Sequence, residues 1–253
     1  MTKQEALFTY LLRLADDRLI LGHRLSEWCG HGPVLEEDIA LANMALDNIG
    51  HATSLLTYAA EVEDKGRNED QLAFFRDVRE YTNIKLVELP KGDFGFTIAR
   101  QFLFSTFAML HYEALKDCAD PQLKGMTAKA LKEYRYHHRH SKQWIIRLGD
   151  GTKESHERIQ KSINDLWMYT NELFFMNEVD EVLISEKIAV NLEKLRSDWQ
   201  KLVEETLKEA TLEIPDYKQY MQQGGRNGIH TEHLGYLLGE MQQLPRMYPE
   251  AQW

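Results

Sequence analysis

An all-α protein built from long helices is what this sequence predicts, on three observations. Apolar residues recur at steps of three and four over stretches of twenty residues or more, the spacing that lays one stripe along a helix. Only six prolines and fifteen glycines interrupt 253 residues, so helices of that length can run unbroken. The breaks that do occur are short, as connections between antiparallel helices are.

The first helix spans about Lys3 to Trp28, with Leu7, Leu11, Leu14, Leu21, Leu25 and Trp28 on one stripe. Arg18 occupies one step of that stripe, and Asp17 and Arg24 lie beside it. Cys29-Gly30-His31-Gly32-Pro33 stops the helix for backbone reasons. The second helix begins near Val34, with Glu36, Glu37 and Asp38 in the first turns, where negative charge suits the dipole. Its stripe is Leu35, Ile39, Ala42, Leu46, Ile49, Thr53 and Leu56, but Leu41, Met44, Ala45, Leu55 and Tyr58 cover the other faces too. A helix apolar nearly all round is expected at the centre of the fold. Between Ile39 and Ala60 its one formal charge is Asp47, with His51 a turn further on. A lone buried carboxylate needs a partner.

After a charged turn at Asp64 to Asn68, Gln71 to Leu89 reads as a helix or helix-rich crossover. Pro90-Lys91-Gly92-Asp93 breaks the chain before a third long helix, about Phe94 to Cys118. Asp120-Pro121 opens the fourth, which runs to about Leu148 with Tyr134, His137, Ser141 and Trp144 on one face. Two further helices, about Lys153 to Met176 and Leu192 to Leu212, flank a short piece around Asn177 to Lys187. A last helix covers about Thr231 to Met247. Four long helices in two antiparallel pairs joined by a crossover predict a ferritin-like four-helix bundle. The expectation is a single domain over 1–253, with the core bundle at about 3–149 and a helical extension at about 150–253.

Ferritin-like di-iron proteins take a carboxylate from each of two helices and a Glu-x-x-His from each of the other two. Residues three apart share a face, so both reach the bundle interior. Here Asp47 is followed three residues on by Gly50, which has no side chain, while His51 stands four on. His137 is preceded at the right interval by Tyr134, with Glu133 one place off register. The third helix carries no acid near Phe104, Ser105 or Phe107, and Glu113 lies roughly 9–13 Å further along. The bundle keeps the positions of a di-metal site without its ligands. Without metal, Asp47 is expected to pair with Arg18 or Arg24 of the first helix, or else to bond Asn43, Ser54 or a buried water.

These residues carry a resemblance. LADDRLILGHRLSEWCGHGPVLEEDIALANMALDNIGHA, DFGFTIARQF, AKALKEYRYHHRHSKQWIIRLGDG and GGRNGIHTEHLGYLLGEMQQL are similar to the PaaC family of structural subunits of bacterial phenylacetyl-CoA epoxidases. The resemblance covers nearly the whole chain. It implies a ferritin-like subunit that binds no cofactor itself and pairs with a related di-iron subunit, PaaA. The complex is expected to epoxidise the ring of phenylacetyl-CoA with O2 and electrons from NADPH through a reductase, PaaE, assisted by a small subunit, PaaB. Two other readings stand beside it: an oxidase or oxygenase using an unconventional metal site of Asp47, His51, Glu133 and His137, and a stand-alone ferritin-like protein for binding or storage. Isolated, the chain could form a homodimer.

Composition narrows the partners. A net charge of −10 offers no broad basic field, which argues against nucleic acid. No apolar run approaches the ~20 residues of a membrane span, and the N-terminal stretch does not read as a signal peptide, so a cytoplasmic protein is expected. Cys29 and Cys118 make no disulfide framework and are expected to be buried. His230-x-x-His233 could suggest zinc, but Thr231 reads better as a helix cap. Gly224-Gly225-Arg226-Asn227-Gly228 could cradle a phosphate such as that of coenzyme A, although a simple turn is the better reading. Of the run Tyr134 to His140, one face is core; Arg135 and Arg139 lie on the other, solvated or at an interface.

Overall fold

The computed structural model describes residues 1–251. In chain order the helices are α1 (Lys3–Ser26), α2 (Leu35–Glu63), α3 (Glu69–Phe74), α4 (Lys85–Glu88), α5 (Phe94–Leu115), α6 (Pro121–Gly149), α7 (Lys153–Trp167), α8 (Glu178–Ser185), α9 (Glu193–Glu209) and α10 (Glu232–Met247). No strand occurs among the described residues. Helices α1 and α2 pack along their lengths, as do α5 and α6, giving the two pairs of a ferritin-like bundle. The last two residues of the expected domain, Gln252 and Trp253, lie outside the described residues.

Local sequence sets the helix starts. Thr2 and Glu5 form a capping box on α1, Asp93 caps α5 through the Phe96 amide at 2.8 Å, and Asp120 caps α6 ahead of Pro121. At Gly22 the first pair comes close: a Cβ there would lie 2.7 Å from Ile49 Cγ1 and 3.2 Å from the Ala45 carbonyl. Around this core, α7 packs on α5, α8 on α1, and α9 on both α5 and α6. The Trp199 indole N–H donates to the Leu103 carbonyl at 3.0 Å.

Three expectations need correction. The first concerns α2: it is not buried all round, and its inner face is not the anticipated stripe. Leu41, Met44, Ala45, Asn48, Ala52 and Leu55 face the core, whereas Leu35, Ile39 and Leu46 are 71, 52 and 66% exposed. Both faces are apolar, so periodicity alone could not choose between them. The second concerns the crossover, in which only α3, a 3₁₀ turn at Val78–Glu80 and the single turn of α4 are helical. Its backbone N–H groups go elsewhere: Thr82 to Asp16 at 2.8 Å, Ile84 to Asp17 at 2.9 Å, and Lys85 to Glu172 at 2.8 Å. Carboxylates of α1 and of the 3₁₀ turn at Thr170–Phe174 take the hydrogen bonds a longer helix would have made. The third is Cys29, which is exposed because it falls in the turn after α1; Cys118 is buried.

Candidate functional site at the bundle centre

Arg18 holds the centre of the bundle. It is fully buried, and its guanidinium carbon lies 5.0 Å from the Tyr112 ring centroid, 5.4 Å from Phe104 and 5.8 Å from Tyr134. Nη1 donates to the Leu14 carbonyl at 3.0 Å and lies 3.5 Å from Asp17 Oδ2. Desolvated contacts of a guanidinium with aromatic faces contribute about 2 kcal/mol in favourable cases. A fixed cation with an aromatic surround therefore stands where the facing helices would otherwise direct carboxylates.

The neighbouring positions are committed to each other. Tyr134 Oη donates to Asn48 Oδ1 at 2.7 Å, joining α6 to α2. His51 Nδ1 meets Tyr112 Oη at 3.2 Å, and Tyr10 Oη meets His111 Nε2 at 3.0 Å. On α5, Phe104 packs against Tyr134, and Ser105 and Thr106 reach Ser141 and His138 of α6. No acid intervenes at that level; Glu113 lies out at the surface, paired with Arg135 and Lys116.

Asp47 is not the buried charge the sequence suggested. Its side chain is 35% exposed and pairs with His137 Nε2 at 3.0 Å, not with either arginine. Arg24 instead donates to the Glu88 carbonyl at 2.9 and 3.1 Å, to the His233 carbonyl at 3.1 Å and to Glu27 at 2.7 Å. The cause is the rotation of α2 already described, which turns Asn48 inward and Asp47 to the edge. Asp47, Gly50 and His51 line a cleft of about 360 Å³ with Gly125, Lys129 and Glu133 of α6. Burial, and then the nearby Asp47 carboxylate, raise the Glu133 carboxyl above its usual range. Gly50 is exposed and offers no donor atom.

This donor set does not fit a two-metal centre. No three His, Cys, Asp or Glu side chains converge on one point among the described residues. Asp47 and Glu133 stand at the cleft, while the level between α5 and α6 holds rings and hydroxyls. Asp47→Asn is therefore expected to cost less than about 1 kcal/mol, because an amide at this part-exposed position can still hydrogen-bond His137, and thermal melting measures it. A loss of several kcal/mol would mean that the buried His137 depends on the carboxylate itself.

The buried imidazoles set a pH dependence. Burial, then the charge of Arg18, drive His51 and His111 down to about 3, and burial with Lys142 takes His138 to about 4. Each is neutral when folded and gains a proton on unfolding below its ordinary value of 6.5. Their stabilisation is complete above pH 6.5 and is lost as pH falls toward the folded values. Each contributes a slope of up to about 1.4 kcal/mol per pH unit in that window. Urea unfolding at pH 7 and pH 5 should show the drop, and equal midpoints would contradict it.

The glycine-rich segment is an anchor. Arg226 makes a paired contact with Asp17, at 2.9 Å to Oδ1 and 2.8 Å to Oδ2, and also donates to the Thr82 and Arg13 carbonyls. The Gly225 amide donates to Glu172 at 2.6 Å, and a Cβ on Gly225 would collide with the Asn83 carbonyl. His230 bonds Glu88 at 2.8 Å and the Tyr81 carbonyl at 2.9 Å. Burial opposes charge on His230, yet Glu88 holds its pKa above the usual histidine value. Gly225, Arg226 and His230 thus bond within the chain, and His233 offers its backbone carbonyl to Arg24. Tyr10, Arg13, Asn48, His111 and Tyr112 escaped the sequence reading. Only Asp16-Asp17-Arg18, three charges inside an apolar helix, pointed toward the buried network.

The whole chain, residues 1–253, matches the family model described as phenylacetic acid catabolic protein. It is 48% identical over 247 residues to a 1,2-phenylacetyl-CoA epoxidase subunit of Escherichia coli (strain K12), covering 98% of this chain and 99% of that protein. The helical bundle, the lengths and the matched residues agree, and the chain belongs to the phenylacetic acid catabolic protein family.

Proposed function

We propose that this chain is the non-catalytic, structural subunit of a multicomponent phenylacetyl-CoA epoxidase in phenylacetate catabolism, pairing with and stabilising a related di-iron subunit. The observation that carries the reading is Arg18: a guanidinium enclosed by Phe104, Tyr112 and Tyr134 fills the bundle centre with a cation that needs no metal ligands. The similarity to a subunit of the Escherichia coli epoxidase supplies the reaction. The di-iron centre, O2 and the NADPH-dependent reductase belong to partner subunits of the PaaA, PaaB and PaaE kinds, and this chain binds none of these cofactors.

The outer face of α2 supports the pairing. Leu35, Ile39 and Leu46, with Val34 before them, form an exposed apolar ridge along the N-terminal part of α2. Ridges of this kind mark protein interfaces. No described helix is long and apolar enough to cross a membrane, which accords with a cytoplasmic enzyme complex. The test is to express this chain and its di-iron partner separately and together. The expected result is turnover of phenylacetyl-CoA, with reductase and NADPH, only in the presence of the partner, and iron only in the partner. Turnover by this chain alone, or about two irons per chain, would refute the proposal.

A further inference from the structure

A second built feature lies beside Arg18, between α1, α5, α8 and the Gly225–Asn227 turn. It is a cavity of about 20 Å³ lined by Arg13, Asp17, Arg18, His111, Asp180 and Arg226, with Tyr10 and four apolar side chains completing its walls. That volume admits one particle the size of a water molecule. Three of the lining residues carry buried nitrogens without a hydrogen-bond partner: Arg13 Nε, Arg18 Nε, Arg18 Nη2 and His111 Nδ1. Four such orphans on three residues of one small cavity are too costly to leave unmet.

We propose that this cavity binds a single monatomic anion, a halide such as chloride. Three guanidiniums face two carboxylates there, leaving one positive charge in excess. Arginine does not shed its proton, so the excess stays at the cavity wall, where a small anion would meet it. The carboxylates are already engaged: Asp17 takes both arms of Arg226 and the Ile84 amide, and Asp180 takes Arg13 Nη1 and the Asn177 amide, each at 2.9 Å. Three of the orphans can only donate. With Tyr10 Oη–H donating to His111 Nε2, His111 Nδ1 carries a proton and becomes a fourth donor. An acceptor-only ion suits such donors, whereas a water must also place its own two hydrogens. Bound there, the halide ties α1, α5, α8 and the C-terminal segment together.

Crystals of the unaltered chain grown in sodium bromide test this directly. The expected result is an anomalous peak at the bromine edge inside the cavity, in contact with the Arg13 and Arg18 nitrogens. In solution, chloride at ~100 times its dissociation constant should raise the melting temperature by about 5 °C or more over sodium gluconate at equal ionic strength. Arg13→Met should remove that difference; if it does not fold, the bromide crystals decide alone. Cavity density without anomalous signal is a water and overturns the proposal, as does equal melting in the two salts.

Discussion

Replacing Arg226 with methionine should lower the melting temperature by roughly 6–20 °C. The residue is distant in sequence from everything it touches, yet both arms of its guanidinium meet Asp17 and it also bonds the carbonyls of Thr82 and Arg13. Asp17 is 1% exposed. Removing its main counter-charge leaves a carboxylate in the bundle interior with only the Ile84 amide and a 3.5 Å contact to Arg18. Stranding one member of a buried pair costs about 3–5 kcal/mol, and ~2–4 °C per kcal/mol for a domain this size gives the stated range. Arg226→Lys should fall between, since an ammonium restores charge but not the paired geometry. Arg158→Met, at a side chain 61% exposed, is the control that should not move. A wild-type melt for Arg226→Met would mean that the C-terminal segment is dispensable to the bundle.

The ease of reading this chain varied with the range of the interactions. Helix starts were legible because caps and breaks act over a few residues: Asp93, Asp120-Pro121 and the Gly149 turn all lie where local chemistry puts them. The crossover was not, because its amides bond to Asp16, Asp17 and Glu172, partners 66 to 87 residues away. The same holds for Arg226 and for the Arg24 contacts near His233. The departure from a di-metal pattern was visible in Gly50 and Tyr134, where a missing histidine and a missing acid need no geometry to detect. What replaced it was not visible. Arg18 stood on the predicted core stripe, but nothing in the local pattern says that rings from two other helices enclose it. The clearest misreading, Asp47, arose on a helix with two apolar faces. One buries Leu41, Met44 and Leu55 within this chain, and the other displays Leu35, Ile39 and Leu46 to a partner under the proposed function. Periodicity reports that a face is buried somewhere, not by which polypeptide.

That ambiguity yields the second large effect. Leu46→Asp should leave the isolated chain's melting temperature nearly unchanged, because the side chain is 66% exposed and takes no part in the core. Assembly with the di-iron subunit should suffer instead. A charge at a desolvated interface anchor costs about 2–4 kcal/mol, which is a ~30- to 1,000-fold rise in dissociation constant. Ile39→Asp, at 52% exposure about two turns away on the same ridge, should act likewise, and the double variant should abolish the complex. Arg158→Met, at an exposed position of α7 away from the ridge, provides the comparison. Sedimentation of mixed subunits reads the outcome, with epoxidation falling in parallel and recovering at high concentrations of the variant. Undiminished assembly by the double variant would place the partner on another face. If the variant instead dissolved a dimer of this chain while the mixed complex persisted, the ridge would join two copies, and the pairing surface would have to be sought elsewhere on the bundle.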